Sequence, residues 1–160
     1  MARRGTKFLI LTRHGRYNTY GISDESRGLT ETGREEVHNV ARHLFDKGVQ
    51  VKQILHSGKK RAEQTAEILA QSLNPSVVKA IPGLHPEDDP DELLHSIEME
   101  SESTLIVSHL PLLDRIAERI PGLKEYSEPV HFPQGGTLCF IRSNYGLKAQ
   151  WMITPEMLQA

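Results

Sequence analysis

The sequence predicts an α/β fold: a mostly parallel sheet with helices on both faces and an antiparallel pair at one edge. Three observations predict it. Residues 7–11, KFLIL, are a continuous apolar run, as expected of a strand covered on both sides. Behind it, short apolar segments alternate with segments whose apolar residues recur at helical spacing, the pattern of strands joined by crossover helices. The last two apolar segments are joined through SNYG, which reads as a hairpin turn.

The elements follow in order. After the first strand, residues 30–47 carry Val37, Val40, Ala41, Leu44 and Phe45 at helical spacing, with Thr30 as N-cap, Glu31 in the first turn and Gly48 as the stop. A short strand, KQILHS, precedes a helix with Ala62, Ala66, Leu69 and Leu73 on one face. A weaker strand, SVVKAI, a helix around DELLHSI and a strand, TLIVSH, come next. The helix LLDRIAERI is expected to end at Pro121 and Gly122, and TLCFIR and AQWMIT form the closing pair of strands.

Composition limits function. A chain of 160 residues with 38% hydrophobic content supports one core, so a single domain over residues 1–160 is expected, residues 1–6 forming a flexible tail. The net charge of -2 provides no general attraction to nucleic acid or membrane, so the basic stretch GKKRAEQ is at most a local site. No apolar stretch approaches the roughly 18 residues of a membrane span, and the N-terminus lacks the apolar segment of a signal peptide. Cys139 is the single cysteine, which excludes an internal disulfide and suits a reducing compartment. A cytoplasmic protein is expected.

Three motifs fall where strands end. RHG follows the first strand, SGKKRAEQT joins the second strand to its helix, and SHLPL follows the strand TLIV. In open α/β sheets ligands bind beyond the carboxyl ends of the strands, so Arg13, His14, Arg61 and His109, with Ser57 beside them, are expected to meet there. Two guanidinium forks match phosphate or carboxylate oxygens, and an imidazole between them can act as nucleophile. Gly15 allows a close backbone approach after His14, and Pro111 at a helix start leaves neighbouring N–H groups for an anion. Isolated, each residue has an ordinary explanation: a satisfied core histidine, a solvated basic run, a helix-capping histidine or a turn serine. Their joint placement favours phosphoryl chemistry. His38 and His43 lie five apart, no H-E-x-x-H pattern occurs and no metal site is expected. Cys139 lies inside an apolar strand without a phosphate-cradling loop, so it reads as core.

At these motifs the chain resembles the histidine phosphatase superfamily, and within it the short, SixA-like phosphohistidine phosphatases. RHG, LTETG, SGKKRAEQTAE, IVSHLPL and the closing WMITPEML carry the resemblance almost from end to end. It implies a three-layer α/β/α sandwich without a cap domain and a His14 that is transiently phosphorylated. It also implies a phosphate pocket of Arg13, Arg61 and His109, and no metal or other cofactor. The expected function is removal of phosphate from phosphohistidine on a signalling or phosphotransfer protein. The alternatives are a small-molecule phosphoesterase or mutase of the same superfamily and a phosphate-recognising module without turnover. Many members carry a carboxylate acid in a Leu-x-Glu setting after the third strand. Here the chain reads Leu84, His85, Pro86, Glu87, leaving His85, Glu87 and Asp88 as possible replacements. Arg16, directly after the motif, either enlarges the positive site or faces solvent.

Overall fold

A computed structural model describes residues 5–120 and 131–159. Six strands form one sheet: β1 (Phe8–Arg13), β2 (Gln53–His56), β3 (Val77–Ala80), β4 (Thr104–Ser108), β5 (Thr137–Ser143) and β6 (Gly146–Ile153), in the order β3-β2-β4-β1-β5-β6. β1, β2, β3 and β4 pair in parallel, whereas β5 runs antiparallel to both β1 and β6. The predicted mixed sheet is therefore present. Its hairpin is tighter than expected, because β6 begins at Gly146, whose φ of 110° suits the turn.

Alternation along β1 divides the core. Phe8 and Ile10 pack with α1 (Glu31–Asp46) and α2 (Lys60–Leu73), while Leu9 and Leu11 pack with α3 (Pro90–Met99) and α4 (Leu112–Arg119). The result is an α/β/α sandwich, with no cap domain among the described residues. Thr30 caps α1 by accepting a bond from the Gly33 N–H at 2.9 Å, and Gly48 follows its end in the left-handed region. Phe45, expected on the buried face of this helix, is 62% exposed. One residue beyond Leu44, it is rotated off the stripe formed by Val37, Val40, Ala41 and Leu44. α4 covers the expected segment through Arg119; the predicted stop at Pro121 and Gly122 and most of the proposed N-terminal tail, residues 1–4, lie outside the described residues. Cys139 is buried, and burial pushes its thiol up to about 12, which leaves it a protonated core side chain. Among the described residues no helix is long and apolar enough to cross a membrane.

Candidate active site

The carboxyl ends of β1, β2 and β4 bring the three motifs together. His14 leaves β1, Ser57 and Arg61 lie between the end of β2 and the first turn of α2, and His109 follows β4. The His14 and His109 rings are 5.0 Å apart. His14, Arg61 and His109 are all buried, an unusual state for polar side chains without a ligand-related or structural purpose.

The turn carrying His14 is clamped from two sides. Gly15 and Gly33 let it press against α1: a Cβ at Gly15 would approach Val37 to 2.8 Å, and one at Gly33 would strike the Arg16 carbonyl. The close approach permitted by Gly15 is thus to the first helix, and the Gly15 N–H donates to Thr65 Oγ1 at 3.1 Å. From the other side, the Arg13 N–H donates to the Gly136 carbonyl at 2.9 Å and the Gly135 N–H donates to the His14 carbonyl at 2.9 Å. Both flanks fix the backbone of His14.

The imidazoles have assignable roles. His14 Nδ1 lies 2.8 Å from the Gly15 carbonyl, an acceptor, so Nδ1 carries the hydrogen and Nε2 presents a lone pair. Burial, reinforced by Arg61 and Arg13 against the Gly15 bond, lowers the His14 pKa to about 4 and keeps the ring neutral at physiological pH. Ser57 Oγ accepts from the Lys59 N–H at 3.3 Å and lies 2.6 Å from His109 Nε2. In the tautomer in which the serine hydroxyl donates to Nε2, the His109 hydrogen sits on Nδ1. Burial and the facing cations and imidazoles push the His109 pKa down to about 2, so it too is a neutral donor.

Three buried donor positions around these rings, Arg13 Nε, Arg61 Nε and His109 Nδ1, have no hydrogen-bond partner among the described residues. Unsatisfied buried donors are costly, and clustered ones suit an anion with several oxygens. Arg13 is otherwise held by Nη1 donating to the Phe132 carbonyl at 3.0 Å. Arg61 lies with its guanidinium carbon 4.4 Å from the Tyr17 ring centroid, and Tyr17 also meets His14 edge-on at 5.0 Å.

The other candidates separate clearly. His85 Nε2 lies 3.0 Å from the Ser57 carbonyl, beside the pocket. Asp88 accepts from the His85 N–H at 2.8 Å, and Glu87 is on the surface with Arg115 at 3.3 Å. Arg16 faces away and pairs with Glu36 at 2.7 Å, which resolves its role in favour of the surface. Lys59, Tyr17 and Asp24 are additions that the sequence reading missed. Lys59 is buried beside Arg61, whereas Lys60 is exposed, so the basic run is not uniformly solvated. Asp24, in a 3-10 turn (Asp24–Ser26), forms an ion pair with Lys59 and lies 3.3 Å from Arg61. The sequence clue was DES in a loop facing the KKR run, visible only once the loop's path is known.

The fold and the clustered donors suit an enzyme that handles phosphoryl groups, and comparison with known proteins points to such a hydrolase. The model of the histidine phosphatase superfamily (branch 1) matches residues 9–85. Phosphohistidine phosphatase SixA of Escherichia coli is 35% identical over 120 residues, covering 71% of this chain and 74% of that protein. The chain belongs to the histidine phosphatase superfamily. The structure of the protein histidine phosphatase SixA complexed with tungstate superposes with a TM-score of 0.85 at 27% identity, over 95% of this chain and 99% of the other. The mitochondrial serine/threonine-protein phosphatase Pgam5 of Drosophila willistoni is 32% identical over 71 residues, 44% of this chain but 24% of its own length.

Proposed function

We propose that this chain hydrolyses phosphohistidine on a protein and that His14 carries the phosphoryl group between two displacements. The observation carrying this reading is His14 Nε2, made a free lone pair by the Gly15 carbonyl, beside the unpartnered donors of Arg13, Arg61 and His109. The arginines and His109 would stabilise the charge on the equatorial phosphoryl oxygens, a contribution that rests on groups already in place. Nε2 attacks phosphorus, the P–N bond to the substrate breaks, and the substrate imidazole departs. Water then attacks phospho-His14 and releases inorganic phosphate. Because the Gly15 carbonyl retains the hydrogen on Nδ1, His14 departs in this second step as a neutral imidazole. The residues require no metal in these steps, and we assign none.

The surroundings favour a P–N over a P–O bond. A carbon ester expels an alkoxide and gains strongly from a positioned acid, whereas an imidazole protonated on its second nitrogen, with a pKa of about 6.5, leaves neutral without one. Of the expected carboxylates, Glu87 is paired on the surface and Asp88 is engaged with the backbone. Asp24 lies at the pocket, but the hydrogen bond from Lys59 lowers its pKa to about 2, leaving no proton to donate. A pocket with no cap domain among the described residues also suits a protein-borne substrate, and we place the protein in the cytoplasm, acting on a signalling or phosphotransfer partner.

The experiment is a comparison of kcat and KM for a phosphohistidine substrate and an alkyl phosphate. We expect kcat for phosphohistidine to be at least about 100-fold higher, the scale of general acid catalysis that is lacking. Equal turnover of the two, or loss of all activity in His85→Ala, would replace this reading with a small-molecule phosphoesterase using a histidine acid.

A further inference from the structure

Residues 20–27 cross the edge of the pocket as a loop closed at its base. The Asn18 N–H donates to the Gly28 carbonyl at 3.0 Å, Tyr17 and Leu29 form a β-bridge, and the Leu29 N–H donates to Gln64 Oε1 at 2.7 Å. The tip is held differently. Tyr20 is 85% and Ile22 52% exposed, so its large apolar side chains contribute little packing. Among the described residues, every hydrogen bond or ion pair from residues 20–27 to the body ends on Lys59 or Arg61. Asp24 supplies most of them: its carbonyl accepts from Arg61 Nη1 at 3.0 Å, and its carboxylate takes Lys59 and both terminal nitrogens of Arg61. A carboxylate therefore occupies both terminal nitrogens of Arg61, and among the described residues only its Nε is left free for an anion.

We propose that residues 20–27 form a strap in which the Asp24 carboxylate competes with phosphate for Arg61 and Lys59, making Asp24 a specificity-determining residue. This rests on the reading that the pocket receives a phosphoryl group. Inorganic phosphate and small monoesters meet this competition with only their own oxygens. A phosphoryl group on a larger surface can also cover Tyr20 and Ile22, apolar side chains that otherwise face water, and so offset displacement of the strap. The strap thereby disfavours small phosphorylated solutes and free inorganic phosphate.

The size of the effect follows from populations. Phosphate gains the terminal nitrogens of Arg61 and Lys59 only with the strap displaced, so if tight binding needs those contacts, a strap closed nine-tenths of the time weakens apparent affinity about tenfold. Direct calorimetric titration with inorganic phosphate tests this without turnover, so the result is independent of which phosphorylated substrate the enzyme prefers. Asp24→Asn, which keeps the side-chain shape, should lower the phosphate Kd about tenfold, and Glu25→Gln, which loses only an ion pair to Lys59 at 3.3 Å and none to Arg61, should change it less than about twofold. Amide exchange across residues 20–27 should accelerate when phosphate saturates the unsubstituted protein. A phosphate Kd that is unchanged or higher in Asp24→Asn, an equal gain in Glu25→Gln, or a strap that remains protected with phosphate bound would overturn the proposal; a higher Kd would make Asp24 a positioning residue for Arg61. Absence of phosphate binding in both the unsubstituted protein and Asp24→Asn would instead refute the phosphoryl pocket itself.

Discussion

The floor of the pocket and the strap across it are held by different kinds of force. His14, Arg61 and His109 are 3%, 4% and 1% exposed, and His14 and His109 directly follow strands of the central sheet. Asp24 has a side chain that is 47% exposed, and its turn is tied down by charge on two cations. Stabilising charge in a transition state demands groups that do not reorganise, whereas admitting a substrate demands one that moves. Burial and backbone clamping serve the first demand; half-exposed ion pairs, weak in water, serve the second.

Substituting the floor should cost far more than substituting the strap. The largest effect is expected for His14→Ala, which removes the proposed nucleophile and should reduce turnover on the order of 10⁴-fold or more, with no acid-labile, base-stable phosphate remaining on the protein after brief exposure to substrate. Label on a serine, or an active alanine variant, would place the chemistry elsewhere. Arg61→Lys keeps the charge but loses the planar fork and should lower kcat about 100- to 1000-fold. Near-normal turnover would show that Arg61 belongs functionally with the strap that grips it.

Ser57→Ala sharpens the comparison within the floor, because Ser57 acts through His109. Losing one hydrogen bond that orients a donor should lower kcat/KM about tenfold. The acid limb of kcat/KM should remain near pH 4, because it belongs to His14, whose pKa is lowered to about 4. The sign follows from the nucleophile: above that pH Nε2 keeps its lone pair, and activity is lost as pH falls through it. A limb moved toward the usual histidine value of 6.5 in the serine variant would assign Ser57 to His14 instead.

The same contrast explains what the sequence made legible. β1, α1 and the strand-end positions of Arg13, His14, Arg61 and His109 are dictated by burial, and burial leaves periodic apolar patterns that expose the ends of the elements. Phe45 failed because it lies at the margin of such a stripe. Lys59, Tyr17 and Asp24 were missed because their proximity depends on the path of an aperiodic loop. Nothing local in DES indicates that it will lie on Arg61, and Lys59 looked like its exposed neighbour Lys60 until the first turn of α2 fixed which cation faces inward.

The stitching of the RHG turn to Gly135 and Gly136 also has a consequence for biosynthesis. β1 is made first, but it is bordered by β4 and β5, and the backbone bonds flanking His14 come from residues about 120 positions further along the chain. On the ribosome, an emerging N-terminal half therefore contains His14, the proposed nucleophile, without its surroundings. His14 is solvated there, with an ordinary affinity for protons and no anion pocket. The chain acquires its chemistry only when its last quarter is released and β5 docks beside β1. Chains truncated before β5 should therefore lack activity toward phosphorylated substrates.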